Sequence, residues 1–119
     1  MKRDMEKVRT MLFEFSNGEG RTSFANSLED KEYIYHLEIM RQAGLINYKE
    51  SKFKGGMSLL NVPELTWIGN DYLDAISDEG IWNKTKETIR KKGIEVSNIP
   101  LDMVIDVAKM QLKSLFGLE

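Results

Sequence analysis

The chain has 119 residues, 41% hydrophobic and 30% charged, the proportions of one globular domain rather than of a disordered segment. It has no cysteine, which excludes disulfide scaffolds, thiolate metal sites and cysteine nucleophiles and fits a reducing, cytoplasmic compartment. A net charge of −2 gives no bulk attraction to nucleic acid, so any such activity needs a local basic patch.

Asp4 is placed to cap a first helix, in which Met5, Val8, Leu12 and Phe15 share one apolar face. The run Ser16-Asn17-Gly18-Glu19-Gly20 stops it. Residues 21–26 are ambiguous, with Thr22 and Phe24 suited to a short strand. Ser27-Leu28-Glu29-Asp30 has the spacing of a capping box, in which Asp30 reaches back to the Ser27 amide. The helix it opens turns Tyr33, Ile34, Leu37 and Met40 inward and ends at Gly44. Residues 45–62 predict a β-hairpin that turns at Lys54-Gly55-Gly56 and is broken by Pro63. Thr66 caps the next helix, with Trp67, Ile68, Tyr72, Leu73 and Ile76 expected to bury. A basic helix follows over about 81–92, anchored by Ile81, Trp82, Thr85 and Ile89 and stopped at Gly93. Pro100 suits the first turn of a last helix carrying Leu101, Val104, Ile105, Ala108, Leu112 and Leu115, with Met103, Val107 and Met110 as a second stripe.

This order predicts an α+β fold, mostly α: a winged helix-turn-helix-like core over about 1–78, with the hairpin as the wing, and additional C-terminal helices over about 80–117 in the same domain. No run approaches the ~20 apolar residues of a membrane span, and no apolar leader core follows Met1-Lys2-Arg3-Asp4, so no membrane partner is expected.

Four ordered blocks carry a resemblance: Met1-Lys2-Arg3-Asp4-Met5, Tyr35 to Ile46, Leu65 to Ile76 and Trp82-Asn83-Lys84-Thr85-Lys86. Together they resemble the bacterial and phage family called domain of unknown function 2513. The resemblance implies likeness to winged-helix regulators in the second and third blocks, and brings no catalytic residues. One departure from the DNA-binding plan is already visible. That plan needs a support helix before the reading helix, and the Gly, Asn and Ser content of 17–26 argues against one.

Phosphate contacts dominate DNA affinity, so lysine and arginine must cluster where the fold docks. The reading helix, 29–43, holds Lys31 and Arg41 against Glu29, Asp30, Glu32 and Glu38, a net of −2. The hairpin has Lys49, Lys52 and Lys54 against Glu50, and 82–92 has Lys84, Lys86, Arg90, Lys91 and Lys92 against Glu87. The candidate contacts to double-stranded DNA are these eight basic residues, with Tyr35, His36 and Arg41 as polar candidates on the reading helix. Such lysines equally suit a solvated surface.

Other residues carry blander readings. His36, the one histidine, either contacts a phosphate or carboxylate or, as favoured here, packs beside its helix. One histidine without cysteine argues against a zinc site, and no cofactor loop is present. Asp71, Asp74, Asp78 and Glu79 read as a solvated acidic face rather than a cation site. Trp67 and Trp82 are expected to cover the core rather than stack on bases. No nucleophile–base pattern appears, so an enzyme is not expected. The broad stripe of 100–116 either buries within the monomer or forms a homodimer, the latter preferred. The reading is therefore a nucleic-acid-binding accessory or transcription-regulator-like protein, or alternatively a protein-interaction module that keeps the winged shape.

Overall fold

A computed structural model describes residues 1–118. It is mostly helical, with short antiparallel strands, as expected. Helix α1 spans Met5–Ser16, and the Asp4 carboxylate accepts the free Glu6 and Lys7 amides at 2.9 and 3.2 Å. It buries Met5, Val8, Met11, Leu12 and Phe15. Strand β1 (Ser23–Phe24) follows, then α2 (Leu28–Gln42), with no helix between α1 and α2. The Ser27 hydroxyl caps α2 by accepting the Asp30 amide at 3.1 Å. Asp30 does not complete the box. Its carboxylate is pulled outward by the Arg21 guanidinium and accepts the Ala25 amide at 2.7 Å. These two partners hold the Asp30 pKa well below its ordinary value, against the smaller opposing effect of burial.

The hairpin expected over 45–62 resolves into two pairings. Strands β3 (Glu50–Phe53) and β4 (Gly56–Leu59) form the hairpin proper, joined by Lys54-Gly55. At its base β2 (Ile46–Asn47) pairs with β5 (Glu64–Leu65). Pro63 therefore interrupts the ladder rather than ending it, because pairing resumes once backbone N–H donors return. Strand β4 is central, flanked by β3 and by β1, with Phe24 opposite Met57. Phe24 in turn stacks on Tyr33, which fastens the hairpin to α2.

Helix α3 (Trp67–Ile76) is capped by the Thr66 hydroxyl, which accepts the Gly69 amide at 3.0 Å and donates to the Gly44 carbonyl. Here an expectation fails: Trp67 is 84% exposed and Ile68 47%. The face that meets the core is set by Gly69, where a Cβ would overlap the Leu45 carbonyl, and continues through Tyr72, Leu73 and Ile76. Trp67, two residues before Gly69, lies about 200° around the helix from it. Ile68 sits at the rim of the buried face.

Helix α4 (Glu79–Arg90) starts slightly earlier than the sequence suggests, because Asp78 caps it through the Ile81 amide at 2.9 Å. Ile81, Trp82, Thr85 and Ile89 are buried as expected. A 3-10 turn, Val96–Asn98, leads to α5 (Leu101–Leu115), in which Pro100 caps rather than enters the first turn. Only Leu101, Val104, Ile105 and Ala108 are fully buried in α5. The stripe expected to continue to Leu115 leaves the core there: Met103, Met110 and Leu115 are exposed. The molecule measures 51 × 28 × 20 Å, and no helix of the described residues is long and apolar enough to cross a membrane.

Candidate nucleic-acid interface

The hairpin lies along one side of α2, and the two are laced together at the hairpin's base. Arg41 pairs with Glu38 at 2.6 Å and reaches Glu50 at 4.0 Å, while its guanidinium stacks 4.6 Å from the centre of the Tyr48 ring. The Tyr48 hydroxyl donates to Glu38 at 3.3 Å. Burial, the largest effect, outweighs the lowering pull of Arg41 and, helped by the smaller effects of Glu38 and Glu50, pushes the Tyr48 phenol up to about 12. Arg41, with its side chain still 34% exposed, is thus engaged by one carboxylate at hydrogen-bond distance and by an aromatic face.

His36 is withdrawn from any surface role. It is fully buried, its Nε2 accepts the Asp4 amide at 2.9 Å, and its Nδ1 lies 2.8 Å from the Glu32 carbonyl. It welds α2 to the start of α1. Tyr35 is half-buried, edge-on to the His36 ring. Of these three candidates on α2, His36 is buried, Arg41 is engaged by Glu38 and Tyr48, and Tyr35 is half-buried. The missing signal was long-range: His36 meets Asp4, 32 residues away.

The basic residues of α4 divide. Lys86 pairs with Glu6 at 2.6 Å and has a 19% exposed side chain. The Trp82 indole donates to the same carboxylate at 3.0 and 3.1 Å. Burial acts to raise the Glu6 pKa, but Lys86 and Trp82 outweigh it and hold the group below its ordinary value. Lys86 is therefore a clamp between α4 and α1. Lys91 pairs with Glu87 on the surface. Lys84, Arg90 and Lys92 are exposed and make no ion pair among the described residues. Arg90 lines a cleft of about 580 Å³ with Lys2, Arg3 and Lys86, but Asp4, Glu6, Glu32 and Glu95 line the same cleft and neutralise it.

Helix α1 has one end against α4 and the other against the strand region. Lys86 pins α4 to the first turn of α1, whereas the segment after α1's last turn meets the strand region, Gly20 lying against Val62. About 18 Å, the length of α1, lies between these two ends of the helix.

The lysines of the hairpin, Lys49, Lys52 and Lys54, are exposed. Lys49 and Lys54 make no ion pair among the described residues, and Lys52 makes only a 3.8 Å approach to Glu50. The structure adds two residues that the sequence reading did not place in the site. Lys31 of α2 and Phe53 of β3 line one groove of about 210 Å³ with Lys52, Asn26, Ile34 and Met57. Lys31 and Lys52 are 21 positions apart, and only the packing of the hairpin tip on the start of α2 brings them together. The Phe53 position carried a readable signal: an aromatic placed across a two-residue turn from a glycine.

The match to known sequences bears on this arrangement. The family described as "Hypothetical protein (DUF2513)" matches residues 2–95. The chain belongs to the DUF2513 family. The matched part contains α1 to α4 and the hairpin, and stops before α5. The chain is also similar to an "Uncharacterized protein" of Haemophilus influenzae (strain ATCC 51907 / DSM 11121 / KW20 / Rd), 32% identical over 122 residues that cover 98% of this chain and all of the relative. No solved structure matches. The hairpin groove therefore lies within the part that defines DUF2513, while α5 lies within the length shared with the relative.

Proposed function

We propose that this DUF2513 protein is a nucleic-acid-binding accessory, transcription-regulator-like protein whose β-hairpin acts as a wing on the phosphate backbone. One observation supports this above the others: in an acidic protein, Lys31 and Lys52 flank one groove at the hairpin tip, with Lys54 in the adjoining turn. Backbone contacts of this kind position a protein without reading sequence. The burial of His36 and the engagement of Arg41 fit that role better than base readout by α2. Lys84, Arg90 and Lys92 form a secondary contact. The test is fluorescence anisotropy with a mixed-sequence duplex at low salt. Affinity falls as salt rises, and Lys52→Gln or Lys54→Gln each reduces the slope of log affinity against log salt by about 0.9. An absence of binding, or binding indifferent to salt, overturns the reading.

A second reading, favoured by α5, is a protein-interaction role through homodimer formation. Met110, Leu115, Phe116 and Leu118 are all exposed at the distal end of α5 and just beyond it. An isologous pairing of two such ends covers both apolar surfaces at once. Sedimentation equilibrium tests it: a dimer that Leu115→Glu with Phe116→Glu dissociates supports it, and a monomer across the accessible concentrations overturns it.

A further inference from the structure

The groove at the hairpin tip contains a feature that phosphate contacts alone do not use. Phe53 is 54% exposed, an aromatic ring open to solvent. It is the last residue of β3, and its cross-strand partner is Gly56, which has no side chain to lay over it. The ring rests near the turn, with its Cε2 atom 3.8 Å from where a Cβ of Gly55 would lie. Lys52 and Lys54 flank it in sequence, and Lys31 lines the groove from α2. Ile34 and Met57 give the groove its apolar lining, and Asn26 adds an amide.

A bare aromatic face among lysines suits one ligand chemistry: a planar base whose neighbouring phosphates carry negative charge. Single strands are held in this way, by stacking on aromatic rings within a basic groove. A base inside an intact duplex already stacks on its neighbours and has no free face to offer. Among the described residues no acidic one lines the groove, and Glu50 approaches it only through its 3.8 Å pairing with Lys52.

We propose that Phe53 is a stacking platform for an unstacked nucleobase, with Lys31, Lys52 and Lys54 holding the flanking phosphates. The preferred ligand is a single strand, or a duplex opened by a gap; an intact duplex is held through its phosphates alone and more weakly. This rests on the wing reading above and adds a base contact to the backbone contacts.

The experiment compares an oligo-dT single strand, a mixed-sequence duplex and the same duplex with a central gap, by anisotropy at low salt. The single strand and the gapped duplex bind more tightly than the intact duplex. Phe53→Ala weakens both by roughly five- to a hundredfold, the range of one lost base–aromatic stack. It leaves the salt slope unchanged, because no charge is removed. Phe53→Trp restores the affinity, and Phe53→Leu, which keeps apolar bulk without a ring, does not. Lys52→Gln and Lys54→Gln instead lower the slope on the single strand by about 0.7 each. Circular dichroism checks that each variant is folded. If Phe53→Ala binds the single strand like the unaltered protein while the lysine variants weaken it, the platform is overturned and the wing reading stands. If no ligand binds, both are overturned.

Discussion

Two adjacent glycines in the hairpin turn should behave oppositely when replaced by alanine. A Cβ at Gly56 falls on the backbone of β1: the Phe24 carbonyl carbon is 2.9 Å away, the Ala25 Cα 3.1 Å, and the Phe24 oxygen closer still. No side-chain rotation relieves this, because all three atoms are main chain. Strand β4 must lift from β1, or β1 must press on Tyr33. Overpacking of this kind costs about 1–3 kcal/mol. For a chain of this length an unfolding entropy of about 2.1 cal/mol/K per residue makes each kcal/mol worth about 4 °C, so Gly56→Ala lowers Tm by about 4–12 °C. At Gly55 a Cβ meets nothing nearer than the Phe53 ring at 3.8 Å, an ordinary contact. Gly55→Ala therefore stays within about 0.5 kcal/mol, or ~2 °C, of the unaltered protein. Thermal unfolding followed by circular dichroism gives both values, and amide exchange at Met57 and Ser58 reports whether the β1–β4 ladder has opened. Equal melting of the two variants would refute the close approach of β4 to β1.

Three further outcomes follow from buried polar groups. The Tyr72 hydroxyl is buried without a hydrogen-bond partner among the described residues, so Tyr72→Phe removes an uncompensated polar atom and raises stability by about 1 kcal/mol in chemical denaturation, and a loss of stability instead shows that the hydroxyl is satisfied. Asp30 has a depressed pKa in the folded protein, so its contribution is present above the unfolded carboxylate value of about 3.9 and disappears as pH falls through the lower folded value. Asp30→Asn is accordingly less stable at neutral pH and shows a shallower acid limb, read from denaturation midpoints across pH. The Tyr48 phenol, raised to about 12, supports the fold fully below about pH 10 and loses that support as pH rises through 12. Ultraviolet titration of the unaltered protein minus Tyr48→Phe gives a phenolate step near 12, and a step near 10 contradicts the Arg41–Tyr48–Glu38 packing.

Much of the fold was legible because its signals are local. Asp4, Ser27 and Thr66 each stand beside the amides they cap, and Gly44 ends α2 with a φ of +79°, the left-handed conformation glycine accepts without cost. What failed needed knowledge of a partner. Trp67 and Ile68 look like core residues by composition, but Gly69 alone determines which side of α3 meets Leu45. Asp30 has the spacing of a capping box, and Arg21 from the preceding segment claims it. The lysine pattern was visible, but charge in a sequence does not show which cations are engaged: Arg41 and Lys86 are bound closely to carboxylates, Lys52 pairs with Glu50 only at 3.8 Å, and Lys54 makes no ion pair among the described residues. Lys31 was counted only within an acidic helix, because its neighbours across the groove come from another element.

The opposite fates of Trp67 and Trp82 give the molecule two optical reporters of different kind. Trp82 is sealed between α4 and α1, with its indole on Glu6. The buried ring is shielded from collisional quenchers, with Glu6 and Lys86 beside it, so its emission reports opening of the α1–α4 joint. Trp67 stands in solvent, so its emission is red-shifted and open to iodide quenching. Trp67→Phe leaves a single chromophore for the core, and Trp82→Phe a single one for the surface near the N-terminus of α3. Opening of the core and exposure at the start of α3 are thus followed separately on two unlabelled single-tryptophan proteins.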